Sequence, residues 1–355
     1  MKDNISVLIV DDSAFMRKSL SIMLESDKSI TIAGTAKNGL EGYELAKSLR
    51  PDIITLDVEM PVMDGLTALK KIMTDCPTSV IMVSSITTEG ALATIKALEL
   101  GAVDFIPKET SFVSVSISNI REDLIQKVKE IVRQKNLKDR LLRIRNSAPA
   151  SSAPKKNLLN KEIPKLGYRA LAIGISTGGP FTLQKVLPKL SAKLNAPVFI
   201  VQHMPPKFTK SLAERLNSMC ALEVKEAEDG ESVKPNVIYI APGGLHMKVR
   251  SLGIKGAEIK ISPDPSDTLH RPAVDVTMNS VIDVYGKYTL GVIMTGMGKD
   301  GFEAVRNLKA LGGYSIAQDE ESCVVYGMPK AIVDAGYADL ILPADDIAGA
   351  INKVF

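Results

Sequence analysis

Asp11, Asp12, Asp57, Ser84 and Lys108 are side chains suited to phosphoryl chemistry, provided that the fold gathers them. Three carboxylates held together repel one another unless a cation neutralises them. An all-oxygen set of this kind suits Mg²⁺, which keeps several waters and bridges to phosphate. A lysine and a hydroxyl beside such a set can hold the oxygens of a phosphoryl group. Any one of these aspartates, alone at a strand end, would be an ordinary helix cap. Further along, Gly174-Ile175-Ser176-Thr177-Gly178 fits G-x-S-x-G. Such a turn exposes a serine hydroxyl beside the free N–H groups of a helix start. The same five residues also read as a glycine-rich turn with a capping serine.

A nucleophilic serine needs a base, and the chain has three histidines: His203, His246 and His270. A third group must orient the histidine, and Asp300 in the segment TGMGKDG is placed to do so. Ser176, His203 and Asp300 would then be nucleophile, base and orienter. Their order along the chain is not that of the α/β-hydrolases. A rival reading exists for the last segment. Gly296, Gly298 and Gly301 fit G-x-G-x-x-G, and Asp319, Glu320 and Glu321 follow about where a ribose-binding acid belongs in a dinucleotide site. Against it, Asp300 would set a carboxylate against the pyrophosphate, and the unit lies late in its domain.

These residues matter only if the elements between them converge. Short apolar runs at 6–10, 31–33, 53–56, 80–83 and 103–107 are rich in Val and Ile, and amphipathic segments such as 14–26 and 66–74 separate them. Strand–helix alternation five times over predicts a parallel sheet covered on both faces. Ligands then bind at the carboxyl ends of the strands, which is where all five residues of the first group fall. A long polar helix is predicted over about 117–143. Residues 146–165 are rich in Ser, Ala, Pro and Lys, as linkers are. Alternation resumes with apolar runs at 171–175, 198–201, 237–240, 290–294 and 340–342, and segments 246–250 and 258–261 read as an antiparallel hairpin. His203 follows the run next in order after that of Ser176, which favours it over His246 and His270 as the base.

Composition bounds the rest. A chain of 355 residues suggests two or three domains. Lys+Arg of 44 against Asp+Glu of 41 gives a net charge of only +3, which points away from nucleic acid and from membrane surfaces. No apolar run reaches the roughly 18 residues of a membrane helix, and the N-terminus carries acids where a signal peptide would be apolar. Cys76, Cys220 and Cys323 lie far apart and form neither a disulfide framework nor a metal motif. A soluble cytoplasmic protein with reduced thiols is expected. No helix-turn-helix or basic stripe follows the linker, so a DNA-binding output is not expected.

VLIVDDS, TLDVEMPVMDG, MVSS and GAVDFIPK resemble the receiver domain of two-component response regulators. That resemblance implies a flavodoxin-like fold with Asp57 as phosphoacceptor, Mg²⁺ held by Asp11, Asp12 and Asp57, and phosphoryl contacts from Ser84 and Lys108. It also implies a switching aromatic at Phe105 and a histidine kinase as phosphodonor. The residue after Lys108 is Glu109, where the family usually has proline. IGISTGGP, VQHMPPKFTKSLAERL, APGGLHM, HRPAVDV and MTGMGKDG resemble the catalytic domain of chemotaxis protein-glutamate methylesterases. Their serine, histidine and aspartate fall on Ser176, His203 and Asp300. Lys299 stands where an amide residue is usual.

Together the resemblances imply two doubly wound α/β domains, a receiver over 1–125 and an esterase over 166–355 with a small antiparallel hairpin. A helix extension and linker over 126–165 join them. The implied activity is hydrolysis of glutamate γ-methyl esters on the cytoplasmic helices of chemoreceptors, with no cofactor for the esterase step. Glutamine deamidation is a possible second activity. Backbone N–H groups of Thr177 and Met297 are candidate oxyanion donors. In the resting state the receiver is expected to cover the rim that carries Ser176, with phosphorylation shifting that packing.

Overall fold

The computed structural model describes residues 4–108, 116–147 and 163–355. Most of the expected linker, and the Lys108–Glu109 bond, lie outside the described residues. The chain divides into two compact units, Met1–Arg143 and Ile144–Phe355. Among the described residues no helix is long and apolar enough to cross a membrane.

In the first unit, strands β1 (Ile5–Val10), β2 (Ile30–Ala36), β3 (Ile53–Asp57), β4 (Ser79–Ser85) and β5 (Asp104–Lys108) alternate with α1 (Ala14–Glu25), α2 (Gly39–Leu49), α3 (Gly65–Asp75) and α4 (Thr88–Glu99). Helix α5 (Ser116–Ser147) follows β5. The sheet order is β2-β1-β3-β4-β5, all parallel. Every residue of β3 is buried because helices cover both faces of the sheet, whereas edge strand β2 buries only Ile30 and Ala36. Helix α5 is more than an appendage. Leu124, Val128, Ile131 and Val132 are buried, and the first compact unit reaches Arg143.

The second unit is a seven-stranded parallel sheet carrying a hairpin. Its elements are β6 (Ala170–Ile175), α6 (Gly179–Val186), β7 (Val198–Gln202), α7 (Phe208–Asn217), β8 (Glu223–Glu226) and β9 (Val237–Ile240). Antiparallel strands β10 (His246–Ser251) and β11 (Ala257–Ser262) come next. Then follow α8 (Val274–Tyr285), β12 (Thr289–Ile293), α9 (Phe302–Ala310), β13 (Tyr314–Gln318), α10 (Met328–Asp334), β14 (Leu340–Leu342) and α11 (Ala344–Asn352). The order β14-β13-β12-β6-β7-β9-β8 makes the sheet doubly wound. The chain runs outward from β6 through β7, then returns to β12 on the other side of β6. Loops leaving β6 and β12 diverge there, which opens the crevice in which such sheets bind ligands. Strand β8 leaves no apolar run in the sequence. Its sequence EVKE buries only Val224, as an edge strand can.

The first sheet has one especially tight crossing. The Gly65 N–H donates to the Val58 carbonyl at 2.9 Å, and a Cβ on Gly65 would lie 1.9 Å from the carbonyl oxygen of Asp57. Only glycine lets α3 start this close to the end of β3. Gly65→Ala should therefore cost the first unit about 2 kcal/mol, typical of overpacking against fixed backbone. Amide hydrogen exchange of β3 in the full chain should quicken about thirtyfold, and unchanged protection would show that the crossing relaxes freely.

Candidate active site and phosphoacceptor site

In the first unit the five expected residues meet at the carboxyl rim. Asp11 follows β1, and its Oδ1 accepts from the Ser13 N–H at 2.9 Å. Arg17, from α1, donates to the carbonyls of Asp11 and Asp12 and ties down that corner. Asp57 ends β3, and its Oδ1 accepts from the Val58 N–H at 2.7 Å. Lys108 ends β5, and its Nζ lies 2.9 Å from Asp11 Oδ2 and 2.7 Å from Asp57 Oδ2. Burial pushes the Asp57 carboxyl up to about 6 even though the Lys108 ammonium favours its charged form. Burial would lower the Lys108 pKa, but hydrogen bonds to Asp57 and Asp11 raise it.

One oxygen each from Asp11, Asp12 and Asp57 lie within 4.8 Å of one another. This oxygen-only donor set fits a hard divalent cation such as Mg²⁺. Ser84 lies on the same rim, fully buried, with its hydroxyl donating to the Gly90 carbonyl at 3.1 Å. Phe105 is buried beneath Lys127, whose Nζ donates to the Phe105 carbonyl and sits 6.0 Å from the ring centroid.

In the second unit Ser176 follows β6 at the crevice. Its N–H donates to the Thr295 carbonyl at 2.9 Å, and its carbonyl accepts from the Gly179 N–H and from Gln202 Nε2. Gly178 has φ of +76°, and a Cβ on Gly179 would lie 1.9 Å from Gln202 Oε1. The two glycines are thus what lets the chain turn sharply enough to leave the serine half-exposed. His203 follows β7, the strand paired with β6, and its N–H donates to the Ile175 carbonyl. Its Nδ1 lies 3.2 Å from Ser176 Oγ, and its Nε2 lies 2.8 Å from Asp300 Oδ2.

Asp300 comes from the loop after β12. Its Oδ2 also accepts from the Val274 N–H at 2.7 Å, and its Oδ1 accepts from the Asp275 N–H at 2.9 Å. Burial would raise its pKa. The hydrogen bond and charge of His203, with the two helix N–H groups, overcome burial and hold it at about 2. A carboxylate held ionised can only accept at Nε2, which favours the tautomer with its proton on Nε2 and its lone pair on Nδ1, facing the serine. That arrangement can withdraw the hydroxyl proton during attack on an acyl carbon.

The other two histidines have different places. His246 is buried. Its Nδ1 accepts from the Ala273 N–H and its Nε2 lies 3.1 Å from the Pro265 carbonyl, so it braces the loop before α8. Burial pushes its pKa down. His270 stacks on His203, with centroids 4.2 Å apart and planes 24° from parallel. The apolar runs give no reason to set His270 beside His203; the segment HRPAVDV, which contains it, is the one signal in the sequence.

The dinucleotide reading of the Gly296–Gly301 segment is not supported. Gly296 donates to the Val325 carbonyl and accepts from the N–H groups of Gly327 and Met328, so the loop is sewn to its neighbour. Asp319 accepts from the Ser322 N–H and hydroxyl within its own turn. The anion at the start of α9, the helix that this segment opens, is the protein's own Asp275. Thr177 lies in the turn after β6 and Met297 in the loop after β12. Among the described residues neither N–H is committed to another acceptor.

Comparison with known proteins agrees with both halves. Residues 171–351 match the model of the CheB methylesterase family, and residues 7–115 match that of the response regulator receiver domain. A protein-glutamate methylesterase/protein-glutamine glutaminase of Nitratidesulfovibrio vulgaris is 49% identical, with 98% of each chain covered. One from Thermotoga maritima is 45% identical over 96% of this chain and 95% of its own. The crystal structure of the Thermotoga maritima CheB methylesterase catalytic domain aligns with 45% identity and a TM-score of 0.51, covering 53% of this chain and 99% of that one.

The geometry makes a test at Ser176 direct. A fluorophosphonate should label Ser176 covalently in the wild type. Asp300→Asn should slow labelling by up to ~10⁴-fold, the effect of a wrong-tautomer histidine in a triad. Mass spectrometry of the labelled peptide reads both, and wild-type labelling rates in His203→Gln would leave the serine without its assigned base.

Proposed function

The chain belongs to the CheB methylesterase family, and from that premise we propose that Ser176, His203 and Asp300 hydrolyse glutamate γ-methyl esters on chemoreceptors under control of the receiver domain. The observation that carries this reading is the hydrogen-bonded run from Ser176 Oγ through both nitrogens of His203 to Asp300. Ser176 Oγ attacks the ester carbonyl while His203 Nδ1 takes its proton. The N–H groups of Thr177 and Met297 receive the developing oxyanion, each such donor being worth about 3 kcal/mol. The tetrahedral species collapses as His203 returns the proton to departing methanol, leaving an acyl-serine. Water then repeats the sequence: His203 takes its proton, the acyl bond breaks and Ser176 is restored. Throughout, Asp300 holds the imidazole and stabilises its charged form. The same route with ammonia as leaving group converts glutamine to glutamate, which is the glutaminase activity.

In the receiver, Asp57 is the phosphoacceptor and a histidine kinase the phosphodonor. Mg²⁺ held by Asp11, Asp12 and Asp57 would neutralise charge as the phosphoryl group arrives. Lys108, already 2.7 Å from Asp57, is placed to hold a phosphoryl oxygen. Ser84 would have to leave the Gly90 carbonyl to do the same. The esterase substrate lies on the cytoplasmic part of the receptors, so the protein acts in the cytoplasm.

Methanol release from methylated receptor, with and without a small-molecule phosphodonor, tests both halves. Wild type should release methanol faster with the phosphodonor, and Ser176→Ala should release none above background. Asp57→Asn should keep the basal rate and lose the response, because it contributes nothing to the chemistry at Ser176. A phosphodonor response that survives Asp57→Asn would place the switch elsewhere.

A further inference from the structure

Helices α8 and α9 each begin without a capping side chain of their own. The residue before α8 is Ala273, and the residue before α9 is Gly301, with φ of +93°. Each helix is capped by an acid from the other. Asp300, just ahead of α9, accepts from the Val274 and Asp275 N–H groups at the start of α8. Asp275, in the first turn of α8, accepts from the Ala304 N–H at 2.8 Å, and the Gly301 N–H also bonds to its carboxylate. The exchange is reciprocal, and Asp300 is one of its two members.

We propose that Asp275 is a positioning residue for the relay: by holding the start of α9 it fixes Asp300, which in turn fixes His203. This inference rests on the Ser176–His203–Asp300 reading. Two features carry it. First, Asp300 is set immediately before the N–H groups that Asp275 grips, so its main chain is pinned from one side while its carboxylate is pinned from the other. An orienting group must be held this closely, since misplacement of about 1 Å costs about 100-fold in rate. Second, Asp275 adds a further negative charge behind Asp300. The groups facing it are Asp300 from the loop, Glu303 from α9, which pairs with Arg306, and His203 beyond Asp300. Burial pushes the Asp275 carboxyl up to about 6, and the charges of Asp300 and Glu303 push the same way. Above that pH its charge favours uptake of a proton by the relay as a whole.

The test is fluorophosphonate labelling of Ser176 against pH in the full chain, which needs no receptor. Asp275→Ala removes both caps and should slow labelling about ten- to a hundredfold. Asp275→Asn keeps an acceptor for the Ala304 N–H but loses the charge and faces the Gly301 N–H with a second donor. It should slow labelling less, and its acid limb should lie at lower pH than in the wild type. A merely structural role would lower the amount of labelled protein and leave that limb in place. Should Asp275→Ala fail to fold, by circular dichroism, the Asn variant decides. A folded Asp275→Asn protein with wild-type rate and limb overturns the proposal. A wild type that does not label at all overturns the relay itself, and this inference with it.

Discussion

A partly buried carboxylate that must stay ionised governs the design of the second unit. Asp300 is largely withdrawn from water, and burial alone would neutralise it. Three donors prevent this: two N–H groups at the start of α8 and the Nε2 proton of His203. An anion at a helix N-terminus is stabilised by the same unsatisfied N–H groups that bind phosphate in other folds. Here the helix spends that capacity on a side chain of its own protein. The crevice between β6 and β12, the hairpin that ties down the loop before α8, and the histidine at the end of β7 all serve to bring these donors to one point.

The first unit meets the same requirement by a different route. Its rim gathers carboxylates at the ends of β1 and β3, and the N–H that Asp11 draws from the start of α1 leaves Asp57 to be compensated from elsewhere. Lys108, from the end of β5, supplies the compensation. A lysine on a flexible stem can be displaced or shared when a phosphoryl group and a divalent cation arrive, whereas a helix start cannot move. The two units thus suit their tasks: one centre holds a fixed charge, the other accepts a change of charge.

Much of this was legible in the sequence because parallel strands buried on both faces leave continuous apolar runs. The run before Asp57 and the run before Gly174 mark strand ends, and strand ends locate the rim. His203 could be chosen over His246 and His270 on that ground alone. What could not be read has specific causes. Strand β8 reads as EVKE because an edge strand buries one face at most. The stack of His270 on His203 joins residues 67 apart in number through ring contact, which leaves no periodic trace. The caps between α8 and α9 link residues 25 and 29 positions apart. Capping patterns are recognisable only when cap and helix are neighbours in sequence, and here each helix borrows its cap.

The orientation of His203 sets which part of the ring meets the nucleophile. Nδ1 is bonded to the ring carbon nearest the main chain, and Nε2 is the distal nitrogen. With Nδ1 toward Ser176, the short arm of the side chain reaches the substrate and the long arm reaches back to Asp300. Isosteres therefore divide unusually. An asparagine amide overlays the proximal nitrogen and a glutamine amide the distal one, so asparagine at 203 would keep a polar atom beside the serine while abandoning the aspartate. An electrophile delivered from the substrate side would alkylate the nitrogen next to the backbone, giving the regioisomer opposite to that formed in serine hydrolases of the usual ring orientation.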